Sequence, residues 1–321
     1  MATRQISLFP EAERAIGLRE AADLIRLAGI EGLPEAVRRA DEARYQEVEV
    51  KSALTEARGM PFRWALNSYR GCTHACQYCY ARKYQRHLQL NAGDDFSSVV
   101  FVKTNLPFVL RRELERRSWT RETVAVGTAT DPYQPIEGRY QITRRCLDVL
   151  AAHQTPFSIV TKGPMIVRDL DVLGRAHASA GCRVFFSVPS VDEAACERLE
   201  PGAAPPRQRL RAAQRLKQAG IDVGVLMMPL VPGITTSPAA LEQTIRAIRD
   251  AGLTVAGATV ARLDPGVREF FFEFIAREYP DLIQGYRRLY TETRAADSYV
   301  AAVQSAVRRA KEATVVPDGS S

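Results

Sequence analysis

Seven short apolar runs that alternate with helical patterns constrain the fold of this chain more than any other feature. Six of the runs are rich in Val, Ile or Phe and are followed by a segment with apolar residues at helical spacing, and the first, RWALNSY, is followed by a cysteine-containing loop. Such alternation is typical of parallel strands joined by helices, and right-handed crossovers curl such a sheet into a full or partial barrel. The sequence therefore predicts an α/β protein with a partial (βα)6–7 TIM-like barrel. Its strand-like runs are RWALNSY, SVVFVKTN, TVAVGTAT, TPFSIVTK, CRVFFSVPS, IDVGVLMMPLVPG and LTVAGATVARL.

The barrel pattern does not cover the whole chain, and three segments are expected. Residues 1–60 are helix-prone, with short helices predicted at Ala21–Ala28 and Pro34–Arg44, and form a helical N-terminal extension without a site signal. Residues 61–292 form the core barrel. Residues 293–321 form a C-terminal helix and a tail, VVPDGSS, that is expected to fray.

Polar and special residues follow the predicted strands. Because active sites of βα barrels lie at the C-terminal ends of the strands, these residues are expected to gather at one face of the barrel. They are Asn67–Cys79, Asn105, Thr130–Glu137, Thr161–Lys162, Ser187, Pro229–Gly233 and Arg262–Asp264.

The first of these strand ends carries a C-x3-C-x2-C array, formed by Cys72, Cys76 and Cys79. Three thiolates in eight residues can hold one metal centre. A [4Fe–4S] cluster bound by cysteine normally takes four thiolates. Three thiolates leave one iron without a protein ligand, so a small molecule can bind there. Catalytic zinc sites differ from structural ones in the same way, because they keep one coordination position open. The array therefore predicts an enzyme that binds a small molecule at an iron.

Composition narrows the class of protein. The 321 residues are 46% hydrophobic and 25% charged, and no run reaches the roughly 20 apolar residues of a membrane helix. The N-terminus has no apolar core segment, so no signal peptide and a cytoplasmic location are expected. Cysteines stay reduced there. The three scattered ones, Cys146, Cys182 and Cys196, are expected to be packing residues.

The charge is uneven. Residues 61–321 carry 35 Lys and Arg against 26 Asp and Glu, and the whole chain has a net charge of +7. This balance is compatible with a nucleic-acid partner. The alternative is a set of solvated helix faces, since many arginines alternate with leucine at helical spacing.

The motifs of the chain resemble those of a known family. The cysteine array after the first barrel strand, with Tyr78 before its third cysteine, resembles the signature of the radical S-adenosylmethionine (SAM) superfamily. The segments NSYRGCTHACQYCYAR, TATDPYQPIE, FSIVTKG and LMMPLVPG are similar to the spore photoproduct lyase-related branch. Within it, GMPFRWALNSYRGC resembles a bacterial group of unassigned function. The resemblance covers about Met60 to Tyr290.

The resemblance implies a fold of the radical SAM type and two cofactors. The three cysteines would hold a [4Fe–4S] cluster whose open iron chelates the methionine part of SAM. An electron from an external donor of the flavodoxin or ferredoxin type would cleave the S–C5′ bond of SAM. The 5′-deoxyadenosyl radical would then abstract hydrogen from a substrate that the sequence does not identify. The cofactors supply this chemistry, and the protein supplies placement and exclusion of water.

The resemblance also implies roles at the other strand ends. Lys162 would pair with the methionine carboxylate as a charge-assisted hydrogen bond. Thr130 and Ser187 would be hydroxyl contacts to SAM, and the backbone of Tyr78 would lie against the adenine. The apolar strand end Met227–Val231 would pack on the adenine ring.

The TATDPYQPIE loop is expected to lie above the site. Asp131 would contact SAM or substrate, as would the catalytic candidates Tyr133 and Glu137. One departure from the resemblance concerns Thr128–Asp131, where spore photoproduct lyases have a cysteine that returns a hydrogen atom to the product radical. This chain has no thiol there, so dimer repair by the same route is not expected, and Tyr133 is a candidate substitute donor.

Several alternatives stay open at this stage. The three thiolates could bind structural zinc with His74 or His87, which would make the protein a non-enzymatic metal-binding or redox-sensing protein. A nucleic-acid repair or modification enzyme is the other alternative. Lys162 could be a surface lysine. Thr130 and Ser187 could cap turns, and Asp131 before proline could start one.

Overall fold

The computed structural model describes residues 43–88 and 91–313 of the chain. The strands in this part are β1 Arg44–Val48, β2 Leu54–Glu56, β3 Trp64–Leu66, β4 Tyr69–Arg70, β5 Val99–Lys103, β6 Val124–Val126, β7 Phe157–Thr161, β8 Cys182–Ser187, β9 Asp222–Leu230 and β10 Val255–Val260.

The main sheet has seven strands in the order β10-β9-β8-β7-β6-β3-β2. From β3 to β10 all neighbours are parallel, and β2 pairs antiparallel with β3 at the edge. The C-terminal ends of β3 and β6–β10 therefore lie at one edge of the sheet. This arrangement confirms the predicted α/β fold with a partial TIM-like barrel.

Helices cover the sheet and connect its strands. The α-helices are α1 Asp94–Ser98, α2 Leu106–Leu114, α3 Glu137–Tyr140, α4 Ile142–Ala152, α5 Leu170–Ser179, α6 Glu193–Leu199, α7 Pro206–Gln218, α8 Pro238–Asp250, α9 Val267–Glu278, α10 Ile283–Leu289 and α11 Asp297–Ala313, and the 3₁₀ helices are Tyr80–Leu88, Pro164–Asp169 and Pro280–Leu282. Within the described residues, no helix combines the length and the apolar run needed to cross a bilayer.

Helix α8 shows how the sequence builds a crossover. Ser237 is its N-cap, and the side chain accepts a hydrogen bond from the N–H of Ala240 (3.2 Å). Leu241, Ile245 and Ile248 follow the spacing of one helix face, and all three are fully buried against the sheet. Such faces, together with strands buried on both sides, form the main core.

One strand departs from the simple barrel. β5 lies outside the main sheet, in a three-stranded sheet of order β1-β5-β4. It pairs parallel with β1 and antiparallel with β4. The chain leaves β3 at Leu66 and resumes pairing at Tyr69 with a different partner, so the segment between them bends from one sheet to the other.

The expectation of a purely helical N-terminal extension needs correction. Residues of this segment form β1 and β2, and Arg44 begins β1 rather than ending a helix. In β1 only Tyr45 and Val48 are half-buried and the other residues are exposed, which suits a strand at the edge of a sheet. The helix predicted at Ala21–Ala28, most of that at Pro34–Arg44, and the C-terminal tail lie outside the described residues. The predicted domain boundaries stay a prediction.

Candidate active site

The cysteine loop follows β4 and is pressed against its neighbours. Gly71 has φ +88°, and a Cβ there would lie 2.3 Å from the carbonyl oxygen of Val99, so only glycine fits this entry to the loop. Two successive turns follow. The N–H of Ala75 donates to Cys72 O (3.2 Å), and the N–H of Cys79 donates to Cys76 O (3.3 Å). These turns keep the three cysteines on one short loop, and their thiols interact electrostatically.

The three thiols lie in a buried and electrostatically coupled environment. Cys72 and Cys76 are buried, and Cys79 is half-buried. Burial is the main reason why the pKa of Cys72 is raised to about 12, and the negative charge of Asp131 adds to it. The backbone N–H groups of Asp131 and His74 donate to the Cys72 sulfur and act in the opposite direction. A buried thiol with a raised pKa releases its proton when it binds a metal cation.

The donor set fits an iron–sulfur cluster better than a single ion. Among residues 43–88 and 91–313, no three His, Cys, Asp or Glu side chains converge closely enough to hold one metal ion. The thiolates of a cluster bind different irons and therefore surround a larger volume. Thr73 Oγ1, next to Cys72, is buried and has no hydrogen-bond partner within the described residues. A buried donor without a partner suits a site that receives further acceptor atoms.

The structure also bears on the zinc alternative. The imidazole of His74 is buried, and its Nδ1 lies 3.4 Å from a carboxylate oxygen of Asp131. The imidazole of His74 is therefore paired with Asp131. The side chain of His87 lies outside the described residues. Because no fourth ligand converges on the three sulfur donors among the described side chains, a cluster is the better fit.

The TATDPYQPIE loop after β6 clamps the cysteine loop. Thr130 Oγ1 donates to Gly71 O (2.6 Å), and Gln134 Nε2 donates to Thr130 Oγ1 (2.9 Å). The side-chain oxygen of Gln134 accepts the N–H of Thr73 (3.1 Å). The hydroxyl of Thr130 is thus already engaged by protein groups, and its predicted contact with SAM stays a prediction.

Asp131 joins the cysteine loop to the end of β7. Its carboxylate accepts hydrogen bonds from Thr161 Oγ1 and from the N–H of Lys162, both at 2.7 Å, and from the N–H of Tyr133 (2.9 Å). Burial acts to raise the pKa of Asp131, but His74 and these hydrogen bonds outweigh it and lower the pKa to about 2. Asp131 therefore stays ionised and positions the neighbouring residues.

Lys162 lies where the predicted site residues meet. Its Nζ donates to Ser187 Oγ (2.9 Å), lies 3.8 Å from Glu200 Oε1 and sits 5.9 Å from the centre of the Tyr78 ring. Its side chain is 14% exposed. The ammonium charge also acts to lower the pKa of the Cys76 thiol, although burial dominates and raises it. The structure thus brings Lys162, Ser187 and Tyr78 together beside the cysteine loop.

A buried ion pair that the sequence did not predict lies beside the ammonium of Lys162. Glu200, at the end of α6, pairs with Arg209, and both are fully buried. The hydroxyl of Tyr78 donates to Glu200. Arg209 also donates to the carbonyl oxygens of Ser187 (3.0 Å) and Ala204 (2.6 Å). In the sequence, Glu200 looks like an ordinary residue at a helix end, and its only signal is the Glu-Pro-Gly stop.

The segment around Glu200 also holds the cysteine loop directly. A Cβ at Gly202 would lie 2.0 Å from Thr73 O, so the two backbones touch. The N–H of Gly202 donates to His74 O (3.1 Å), and the N–H of Gln77 donates to Leu199 O (2.9 Å). The cysteine loop is therefore fixed from two sides, by the loop after β6 and by the segment after α6.

The structure places Tyr133 and Glu137 in a buried network of protein groups. The hydroxyl of Tyr133 donates to Asp169 (3.0 Å). Glu137 accepts the N–H groups of Thr143 and Arg144 at the start of α4, each at 3.0 Å, and hydrogen bonds from Tyr69 and Arg168. Both side chains already use their polar atoms. Their catalytic role stays a prediction, and these contacts favour a positioning role.

Asn67, at the end of β3, binds the start of the loop after β6. Its amide nitrogen donates to Thr128 Oγ1 (3.0 Å), and its amide oxygen accepts the N–H of Ala129 (2.7 Å). Lys103 Nζ donates to the carbonyl of Asn67 (2.7 Å). The hydroxyl of Tyr80 donates to the carbonyl of Thr128.

Lys103 gives a pH-dependent prediction. Burial and then the positive charge of Arg70 lower its pKa to about 8 from 10.5, while the neighbouring Cys146 acts weakly in the opposite direction. Because the folded pKa is depressed, the unfolded chain binds more protons between these two values. The free energy of unfolding of the wild type should therefore rise, relative to Lys103→Met, as the pH increases from about 8 to about 10.5. Denaturant titrations across this range measure the difference, and a gap that does not change with pH would contradict the prediction.

Comparison with known proteins gives the family. The model of the radical SAM superfamily matches residues 66–248, which include the cysteine loop and the strand ends described above. The chain belongs to the radical SAM superfamily. Enzymes of this superfamily use a [4Fe–4S] cluster and SAM, so the cofactors predicted from the sequence are confirmed at the level of the family.

Relatives and solved structures agree with this assignment. The uncharacterized protein Rv2578c of Mycobacterium tuberculosis is 42% identical over 266 residues, which cover 81% of this chain and 78% of that protein. The uncharacterized protein MJ0683 of Methanocaldococcus jannaschii is 25% identical over 59% of this chain and 68% of its own length.

Two solved structures share the fold. One is a spore photoproduct lyase double mutant with bound AdoMet and dinucleoside spore photoproduct, with a TM-score of 0.65 and 16% identity over 89% of this chain and 84% of that chain. A single mutant of spore photoproduct lyase gives a TM-score of 0.64 and 17% identity over 90% and 86% of the two chains. The likeness confirms the predicted radical SAM fold.

Proposed function

We propose that this protein is a radical SAM enzyme whose cluster is held by Cys72, Cys76 and Cys79 and whose substrate is bound at the barrel mouth. The observation that carries the proposal is the position of Lys162, whose Nζ lies 5.9 Å from the ring of Tyr78 in the loop that carries the three cysteines and whose charge acts on the Cys76 thiol. When bound, a [4Fe–4S] cluster supplies the electron that reductively cleaves SAM to methionine and the 5′-deoxyadenosyl radical that acts on the substrate.

The residues of the chain bind and orient the cofactors. Lys162 offers its ammonium to the carboxylate of SAM, and its position is set by Ser187 and Glu200. Arg209 neutralises the charge of Glu200. The ammonium of Lys162 can therefore still pair with the carboxylate of SAM. Burial around Tyr78 excludes water and strengthens these interactions. The role of Asp131 in this proposal is to align the cysteine loop with the end of β7.

Anaerobic reconstitution tests the proposal. The wild-type protein should take up about four irons with sulfide, since that is the content of a [4Fe–4S] cluster. It should then form 5′-deoxyadenosine when dithionite and SAM are added. Zinc at one ion per chain, with no product, would instead favour the non-enzymatic metal-binding alternative. The natural electron donor of this proposal is a flavodoxin or a ferredoxin.

Lys162→Ala gives a separate prediction for the SAM site. A hydrogen bond to a charged group contributes about 1.5–3 kcal/mol, so the affinity for SAM should fall roughly 10- to 150-fold while the iron content is retained. Equilibrium dialysis of the reconstituted protein measures the affinity. Lys217→Ala is a matched control, because Lys217 is exposed and its ammonium donates to the carbonyl of Gly252, away from the proposed SAM site. Unchanged SAM affinity in the Lys162 variant would refute the assignment.

A second candidate function is nucleic-acid modification. It is favoured by the excess of basic residues in 61–321. An affinity for DNA or RNA that falls steeply with salt would support it, because basic residues release counterions from phosphates. The absence of a thiol in Thr128–Asp131 separates this candidate from a lyase that returns hydrogen through a cysteine at that position.

A further inference from the structure

The guanidinium of Arg82 is buried directly behind the cysteine loop. Its residue is 1% exposed. Nε donates to Cys76 O and Nη2 donates to Ala75 O, both at 2.9 Å. Nη1 donates to Ala92 O (2.9 Å) and Gly93 O (2.8 Å). One side chain thus ties the carbonyls of the cysteine loop to a second segment 16 to 18 residues further along the chain.

Two aromatic rings complete the environment of Arg82. Its guanidinium carbon lies 4.1 Å from the centre of the Phe270 ring, in α9, and 5.1 Å from that of Phe96. No carboxylate of residues 43–88 and 91–313 lies within 4.0 Å of this guanidinium. Carbonyls and rings stabilise a cation only in part, and a buried charge without a counter-charge is costly.

A cluster held by the three cysteines would supply negative charge beside this cation. Nε of Arg82 donates to the carbonyl of Cys76, one of the three proposed ligands, at 2.9 Å. The buried guanidinium and a negatively charged cluster would therefore stabilise each other.

Arg82 also holds a strained point of the loop. Ala75 has φ +53°, a left-handed conformation that costs roughly 1–2 kcal/mol for a residue other than glycine. Its carbonyl is the one bound by Nη2 of Arg82. A lysine could keep the charge, but it lacks the planar fork that reaches two segments at once.

We propose that Arg82 is a positioning residue that holds the shape of the cysteine loop and, as a buried positive charge, favours the reduced form of the cluster. This inference rests on the proposed function, because it assigns a role toward the cluster held by the three cysteines. Removing the charge should make reduction harder, since the reduced form carries one more negative charge.

The test compares variants of the reconstituted protein by redox titration monitored by electron paramagnetic resonance. In Arg82→Gln the reduction equilibrium constant should fall about tenfold, which is about 59 mV for one electron. Arg82→Lys should stay within about twofold of wild type, because it keeps the charge. Lys83→Gln is the matched control. It removes a neighbouring cation that is 36% exposed and paired with Asp264, so its potential should also stay within about twofold.

The outcomes separate this inference from the proposed function. A wild-type protein that takes up no cluster refutes both. A wild-type cluster together with an unchanged potential in Arg82→Gln refutes the role of Arg82 alone. If Arg82→Gln does not fold, Arg82→Met decides, because it removes the charge while an unbranched apolar side chain still fills the space beside Phe270, and it should lower the potential in the same direction. An unchanged potential in that variant would overturn the inference.

Discussion

Replacing Cys76 with alanine is expected to abolish both the visible iron–sulfur absorbance of the reconstituted protein and its cleavage of SAM. Cys76 is buried and lies between the two turns of the cysteine loop. With two thiolates left, two of the four irons lack a protein ligand instead of one. The protein then has too few ligands to retain the cluster. Iron, sulfide and 5′-deoxyadenosine are the quantities to measure.

Cys182→Ala is the matched control for this experiment. Cys182 is also buried, but it lies in β8 and its thiol donates to Leu173 O (3.5 Å) within the core. It should keep its iron and its turnover. Equal iron content in the Cys76 variant and the wild type would remove the basis of the proposed function. Loss of iron in both variants would show that folding, and not ligation, limits the uptake of the cluster.

Glu200→Ala is expected to lower the free energy of unfolding by about 3–5 kcal/mol, the usual effect of removing one partner of a buried ion pair. The loss leaves Arg209 buried without a carboxylate and removes the acceptor of the Tyr78 hydroxyl. Denaturant unfolding of the cluster-free protein measures it. Because the affected groups lie behind Lys162, the variant should also bind SAM more weakly after reconstitution.

An exposed pair provides the comparison. Glu242 pairs with Arg246 on the surface of α8 (2.7 Å), and both side chains are about half exposed. Glu242→Ala should change the free energy of unfolding by about 0–1 kcal/mol. A Glu200 variant as stable as this control would show that Arg209 finds another partner, and the account of the Lys162 site would fail.

The sequence predicted the barrel well because each strand carries its own signal. All seven apolar runs contain a strand of the structure, and six of these strands lie in the main sheet with the polar residues that follow them along one edge. The seventh run, SVVFVKTN, forms β5 of the separate three-stranded sheet, which its periodicity alone does not reveal. Periodicity is a local property and depends little on distant partners. The cysteine array is equally local, since Cys72, Cys76 and Cys79 lie on one short loop.

The contacts that fix the loop could not be predicted in this way. Glu200, Arg209 and Arg82 are charged residues that look solvent-exposed in the sequence, and their burial depends on partners far along the chain. The same holds for the contacts of Glu137, whose carboxylate accepts the N–H groups of Thr143 and Arg144 at the start of α4. Three-dimensional pairing of charges leaves no periodic trace in a sequence.

The N-terminal segment shows a second limit of prediction from local sequence. The sequence predicts a helix-prone segment over residues 1–60, yet Arg44–Val48 and Leu54–Glu56 form edge strands. Val48 pairs with Lys103 of β5, a partner more than fifty residues away. Strand formation at an edge depends on such a partner more than on intrinsic preference.

The order in which the chain is synthesised limits when iron can be inserted. The cysteine loop ends at Cys79, but it is held by Gln134, Gly202 and, through Arg82, the ring of Phe270. A ribosome has therefore made most of the protein before the ligand loop has all its supports. A stably held cluster is therefore expected only after residue 270 has been made, and released chains that end before it should retain less iron than the full chain.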